Sequence, residues 1–430
     1  MRRSVFQTTN LVSLILKRVR ASGKISRVEL ARGLNLAPST AGVYVERLLE
    51  EGFLLETEET TGEAGRPPRL LRTNSEGGEF IGVDFEARNI MAVAVDFSDR
   101  PLRNAHGFIE ASDSVEKVIA KIEEAIRAVL PPAGSRILAI GVGVPGVVDS
   151  SRGIAQHYKH IAKWNNVNLA QRLTERFSVP VFLENNARTM ALAELWFGQG
   201  KGNNEFLCIG IRSGIGVGMV LYGQLYCGAH HAAGELGHWR YPYLTPAMAP
   251  LFKAMATDAA PAGLELEDVA SVRALQNALQ KAIAQGKKSV LSGSTAPLSV
   301  TDIVRACQQR DNLAIRVTGE AAGALGWAIA QLSLVIDPSK IVLAGPLTAL
   351  GDMFLHPLRA RVSQLLDIAA TPSPEIVNST MGEFSGALGA AALALHEWKP
   401  VLETWRKSGR NAGAGQSGLP ARRRKKPAKA

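Results

Sequence analysis

Cysteine is scarce in this chain. Only Cys208, Cys227 and Cys307 occur in 430 residues, and none stands in a Cys-x-x-Cys pair. That spacing speaks against a disulfide framework and against a cysteine-rich zinc site. Long apolar runs are lacking too. No eighteen consecutive apolar residues occur, so no membrane span is expected. The start, MRRSVFQTTNLVSLILKRVR, is basic, but its apolar run at residues 11–16 is broken by Ser13 and followed at once by Lys17 and Arg18. It is too short for a signal peptide. The expectation is a cytoplasmic chain with no membrane partner.

With 46% hydrophobic and 20% charged residues, the composition is that of an ordinary globular protein, long enough for two or three domains. The net charge of +10 is unevenly placed. Residues 399–430 hold ten Lys/Arg and one acid, and residues 1–49 hold nine and two, so the remainder is net acidic. Basic ends on an acidic body are the electrostatic footprint of a nucleic-acid binder. The run Arg422-Arg423-Arg424-Lys425-Lys426 lies in a Gly/Ala-rich tail expected to be disordered. It reads either as a solvated end or as a sequence-independent DNA tether.

Residues 9–22 predict an amphipathic helix with Leu11, Leu14, Ile15 and Val19 on one stripe. Ser26-Arg27-Val28-Glu29 is a capping box opening a second, short helix. Gly33-Leu34-Asn35-Leu36 makes a turn. Pro38 suits the first position of a third helix that runs through Val43, Val45, Leu48 and Leu49 to Gly52. Two short strands follow, around Phe53-Leu54-Leu55 and Leu70-Leu71-Arg72, joined by a loop with the tip Gly65-Arg66-Pro67-Pro68. Three helices and a two-stranded wing form the pattern of a winged helix-turn-helix. The third helix would enter a major groove by its N-terminal end, presenting Ser39, Thr40 and Tyr44, with Arg47 within reach of phosphate. Arg66 at the wing tip would enter a minor groove. The competing reading is a small helical protein–protein module.

From residue 79 the texture changes. Residues 80–85 and 90–96 predict a strand–turn–strand unit, echoed by residues 207–211 and 217–222, which suggests an internally duplicated α/β body. The second unit carries Ser213, Gly214, Gly216 and Gly218, followed by Glu235 and His238. Alternating glycines would let backbone N–H groups approach an anion or a sugar. A purely structural hairpin explains the same glycines. Residues 241–262 are rich in Pro, Ala and Met and read as an insertion or lid. Helices are expected at residues 271–284, 299–310 and 313–336. A strand at 341–345 follows, and then helices to residue 398, with Leu325, Ile329 and Leu332 as core or dimer packing.

The body resembles the ROK family of repressors, open reading frames and kinases. The landmarks are Asp84, Gly143-Val144-Pro145-Gly146, Glu184-Asn185-Asn186-Ala187, Ala233-Gly234-Glu235-Leu236-Gly237-His238, Ile336-Asp337-Pro338, and Gly386-Ala387-Leu388-Gly389-Ala390-Ala391. The resemblance covers about residues 79–395. It implies an actin/hexokinase-like, two-lobed fold, and the preceding winged helix with its Gly-Arg-Pro wing matches the repressor branch. The expected organisation is a DNA-binding domain at 1–77 and a sugar-kinase-like effector body at 78–398, then a basic tail at 399–430. The lobes would divide near residue 185, with the C-terminal helix returning to the first lobe.

Departures from the family's kinase pattern matter. Its kinases carry Asp-x-Gly-Gly-Thr in the first hairpin, whereas here Asp84 is followed by Phe85-Glu86-Ala87-Arg88. Glu86 puts a negative charge where phosphate would sit. The kinases also carry Glu-Asn-Asp, whose aspartate is the base. Here that position is Asn186, and an amide cannot take a proton near neutral pH. Loss of a positioned base costs roughly 10²–10⁴ in rate. No catalytic residue and no cofactor are therefore expected. The family's zinc loop has a cysteine cluster after its histidine, but the segment after His238 has none, so no metal is expected. The resemblance implies sugar contacts from Asn185, Glu235, His238 and Glu267 (or Glu265, two residues earlier), with Asn186 able to hold a hydroxyl. These features together predict a bacterial, nucleoid-associated regulator. It would be a homodimer or higher oligomer, repressing carbohydrate-related genes from a double-stranded operator in response to a sugar or sugar derivative. The alternatives are an active sugar kinase with an appended DNA-binding domain, and a regulator controlled by a partner protein.

Overall fold

The computed structural model describes residues 2–58, 69–132, 135–242, 249–252, 264–293 and 297–400. Arg66 at the wing tip, most of the 241–262 insertion, and the tail from residue 401 lie outside the described residues. The chain divides into two compact units, one ending at Gly78 and one spanning Glu79–Trp398.

The first unit has helices Arg2–Ser22, Arg27–Gly33 and Pro38–Glu50, then strands Leu54–Glu58 and Arg69–Thr73. The capping box forms: the Glu29 backbone N–H donates to Ser26 Oγ, and the Glu29 carboxylate accepts from the Ser26 N–H. Pro38 occupies the first turn of the third helix. The wing has a third, two-residue strand, Ile25–Ser26, paired with Leu71 and Leu70. The first helix also turns differently from the expected stripe. Val12, Ile15, Leu16 and Val19 are buried, while Leu14 is exposed. Val12, Ile15, Leu16 and Val19, spaced i, i+3, i+4 and i+7, share a narrower arc of the helix than Leu11, Leu14, Ile15 and Val19.

The second unit is duplicated. In its first lobe, strands Glu79–Phe85, Asn89–Asp96 and Pro101–Phe108 form an antiparallel meander. Ile137–Val144 and then Val181–Asn185 extend it in parallel. In the second lobe, Phe206–Ile211, Ile215–Leu221 and Gln224–Tyr226 form the meander, and Lys340–Ala344 and Glu375–Asn378 extend it in parallel. The two sheets share one strand order. Glu375–Asn378 corrects the expectation of uninterrupted helices after residue 345. Its four residues pair with Lys340–Leu343 and show too little alternation to stand out in sequence.

Helix Ser385–Glu397 lies on the first lobe's sheet, so the chain returns to the lobe it built first. Glycine makes this possible. A Cβ at Gly141 would sit 1.8 Å from the Ala390 carbonyl oxygen, and one at Gly389 would sit 1.6 Å from that of Thr189. Only hydrogen fits at these crossings. Helix Asn312–Ile336 is long and apolar enough, by length and composition, to cross a bilayer. Its stripe of Leu325, Ile329 and Leu332 is instead packed into the second lobe's core.

Candidate functional site

Helix Asn186–Phe197 starts where strand Val181–Asn185 ends, at the C-terminal edge of the first sheet. In such sheets the crevice beyond the strand ends is where ligands bind. A cavity of about 220 Å³ opens there, lined by Asn185, Asn186, Glu235, His238 and Glu267 among others. Residues far apart in sequence thus meet at one place. Asn185 caps the helix, its Oδ1 accepting from the Ala187 and Arg188 backbone N–H groups at 2.9 and 3.4 Å. Its Nδ2 donates to the Gly146 carbonyl at 2.9 Å, so the side chain mainly braces the cavity wall. Asn186 follows at the first helical position and also faces the cavity.

Glu235 is half-buried, and burial pushes its carboxyl above the usual range, with His238 and Arg188 pulling the other way. Glu267 is buried, and its Oε1 accepts from Lys159 Nζ at 2.5 Å. Glu265 stands outside the lining but accepts from His238 Nδ1 at 3.0 Å. Sequence spacing left open which glutamate faces the site, and the fold turns Glu267 inward.

Gly214 and Gly216 line the cavity, and the hairpin glycines also serve packing. A Cβ at Gly218 would meet Ala191 Cβ at 2.4 Å, and one at Gly216 would meet Ala187 Cβ at 2.8 Å. These two let helix Asn186–Phe197 pack down on the hairpin. Gly214 and Gly237 leave room for Glu267, whose Oε2 would lie about 3 Å from a Cβ at either position.

A second cavity, of about 500 Å³, lies on the other side of the hairpin turn and is lined by Asp84, His106, Thr301, Thr348 and Glu383 among others. Glu86 and Arg212 line both cavities. Arg212 Nη1 is 2.5 Å from Asp84 Oδ2, and Ser213 Oγ donates to Glu86 Oε2 at 2.7 Å. Burial pushes the Asp84 carboxyl up to about 6, while Arg212 lowers it. Burial opposes the Arg212 charge, yet Asp84 and Glu86 hold its guanidinium above its ordinary value. Two contacts between the lobes, one of them an ion pair, therefore stand between the cavities. No motif pointed to Arg212 or Lys159, because each acts through a partner more than 100 residues away.

In the first unit, Ser39 is exposed at the start of helix Pro38–Glu50, and Thr40, Tyr44 and Arg47 are partly buried. Tyr44 and Arg47 already hold other interactions. Val43 is 51% exposed. Ser39, Gly42, Val43 and Glu46 share the i, i+3, i+4, i+7 face opposite the buried Ala41, Val45 and Leu48. Arg27 ties this helix to the wing strand, 2.5 Å from Glu46 and 2.8 Å from Glu56.

A duplicated α/β body with a cavity at the strand ends, preceded by a winged helix, defines a class of sugar-kinase-like regulators. The pattern of the ROK family matches residues 80–397, and that of winged helix-turn-helix DNA-binding matches residues 13–54. The chain belongs to the ROK family. It is 25% identical to the xylose repressor of Caldicellulosiruptor bescii over 390 residues, 89% of this chain and 95% of the repressor. The crystal structure of a ROK family transcriptional regulator, a homologue of the E. coli MLC protein, shares the fold. Its TM-score is 0.73 at 24% identity, covering 90% of this chain and 96% of that one. A ROK family glucokinase from Streptomyces griseus, in complex with glucose and AMPPNP, gives a TM-score of 0.64 at 28% identity. It covers 74% of this chain and 99% of the glucokinase.

Proposed function

We propose that this protein is a DNA-binding, sugar-responsive transcriptional repressor of carbohydrate-related genes, acting in the cytoplasm of a bacterium as a homodimer. Its kinase-like body binds a sugar and does not phosphorylate it. The observation that carries this reading is the pairing of a polar, sugar-sized cavity with an amide, Asn186, at the base position. Glu86 supports it, since a carboxylate that lines both cavities repels a transferred phosphoryl group. The xylose repressor matches 89% of this chain, whereas the glucokinase covers 74% of it.

Asn186, Glu235, His238 and Glu267 offer donors and acceptors suited to vicinal hydroxyls. Residues from both sheets line the cavity, so a bound sugar changes the closure of the lobes. In a dimer this rotates the two reading helices relative to each other and alters the half-site spacing they fit. The test is fluorescence anisotropy on an operator selected from random DNA, titrated with d-xylose, d-glucose and N-acetyl-d-glucosamine. At least one sugar is expected to weaken operator binding by about 5–150-fold. If no sugar in a broad panel changes operator affinity or melting temperature, the sugar reading fails and a protein effector takes its place. Phosphate transfer to any sugar at kinase-like rates would return the chain to the enzymes.

The exposed face of the third helix gives a second expectation. Val43 offers an apolar surface for a thymine methyl group in the major groove. Val43→Asp puts a carboxylate there and is expected to weaken operator binding by about 1–3 kcal/mol. Melting temperature should not change, because Val43 is not core. Wild-type affinity in the same anisotropy assay would remove Val43 from the reading face.

A further inference from the structure

The ROK resemblance implies a zinc ion held by one histidine and three cysteines beside the sugar cavity. This chain's residues do not fit that ion. Cys208 is buried in a central strand, Cys307 contacts Thr318 at 3.6 Å, and Cys227 contacts Glu184 at 3.8 Å. These are all the cysteines the sequence has. His238, Glu265 and Glu267 do place ligand atoms within 4.8 Å of one another. Cations of the protein already serve both carboxylates, however. Lys159 Nζ is 2.5 Å from Glu267 and 3.9 Å from Glu265, and Arg240 Nη2 is 3.5 Å from Glu265. A divalent ion would have to displace Lys159, and the set offers no thiolate.

We propose that Glu265 has taken over the task of holding His238, making it a positioning residue of a metal-free effector site. His238 lies in the short turn Leu236–His238, which would leave its ring free to rotate. Glu265 fixes one edge by accepting from Nδ1 at 3.0 Å. The carboxylate is itself anchored. Its residue pairs with Arg240 in a two-stranded ladder, and its backbone N–H donates to Asp268 Oδ2 at 3.2 Å. A carboxylate partner at Nδ1 requires the proton to be on Nδ1. Nε2 is therefore turned toward Glu235, whose Oε2 is 3.9 Å away, and toward the cavity. In the neutral ring Nε2 is an acceptor, complementary to a sugar hydroxyl that donates. The inference about the ring stands alone, and its effect on effector affinity rests on the sugar reading above.

The experiment uses the full-length protein labelled with ¹⁵N-histidine. Long-range ¹H–¹⁵N spectra of the imidazoles are recorded, with His238 assigned by loss of its signals in His238→Gln. The neutral His238 ring is expected in the Nδ1–H tautomer, against the Nε2–H form that a free imidazole prefers. Glu265→Ala is expected to return it toward Nε2–H, and Glu265→Gln, whose amide oxygen still accepts, to keep Nδ1–H. Calorimetry with whichever of d-xylose, d-glucose and N-acetyl-d-glucosamine binds the wild type should show about tenfold weaker binding in Glu265→Ala and near-wild-type binding in Glu265→Gln. Metal analysis should find substoichiometric zinc, with EDTA changing neither spectrum nor affinity. An Nε2–H tautomer in the wild type, or stoichiometric zinc whose removal shifts the His238 signals, would overturn the proposal. If the tautomer follows Glu265 but no sugar binds, the clamp stands and the sugar reading falls.

Discussion

Replacing Arg188 with methionine is expected to remove about 3–5 kcal/mol of folding stability, because it leaves a buried carboxylate without its cation. Arg188 and Glu184 are both buried, four residues apart across the strand–helix junction, with Nη1 and Oε1 separated by 2.6 Å. Glu184 is further used by the Asn185 backbone N–H at 2.6 Å and by Ser150 Oγ at 3.1 Å. Arg188 Nη2 donates to the carbonyl of His231, in the segment that leads to Glu235. One buried pair thus joins the end of the first sheet to the second lobe's loop and fixes two walls of the cavity. The double variant Glu184→Gln/Arg188→Met removes both charges together. It is expected to recover more than half of the loss, because an apolar chain and a neutral amide carry far smaller desolvation penalties. Urea unfolding of the body measures both variants. A loss below about 1 kcal/mol in the single variant would mean that Glu184 reaches water or another cation.

This pair also marks how far sequence can be read. Glu184-Asn185-Asn186 was legible as a landmark, and so were the helix start at Pro38, the capping box at Ser26 and the duplicated hairpins. Each depends on residues adjacent in sequence or on a local period. The Ile25–Ser26 strand was not legible, because two residues carry no alternation and their pairing partners are Leu71 and Leu70, far along the chain. The glycines of the second hairpin were visible, but their use was not. Whether a missing Cβ makes room for a ligand or for a helix depends on what the fold packs against it, and for Gly216 and Gly218 that is Ala187 and Ala191. Arg212 and Lys159 carried no signal at all, and Glu265 was visible only as the alternative to Glu267. Their partners Asp84, Glu267 and His238 are brought to them only by the closure of two lobes and a short ladder.

Glu235→Ala is expected to uncouple the effector from the operator while leaving operator binding intact. Glu235 lines the cavity beside His238 and, among the described residues, has no cation within ion-pair distance except, when protonated, that histidine at 3.9 Å. Its carboxylate is thus available to accept from sugar hydroxyls. Hydrogen bonds to a charged group contribute about 1.5–3 kcal/mol each. Truncation should weaken sugar binding by about 10–150-fold on that scale. Burial already raises the Glu235 carboxyl's affinity for protons, so wild-type binding should fall as pH drops through its folded pKa, and the alanine variant should lack that dependence. The first unit is unaltered by the change, so operator affinity without sugar should match wild type. What moves is the sugar concentration needed for release, upward by the same factor as the loss in sugar affinity. Operator release from Glu235→Ala at the wild-type sugar concentration would place the effector outside this cavity. Loss of operator binding without sugar would instead mean that Glu235 shapes the DNA-competent state. Separating those outcomes needs only the operator titration with and without sugar, since the two arms report the empty and the occupied site independently.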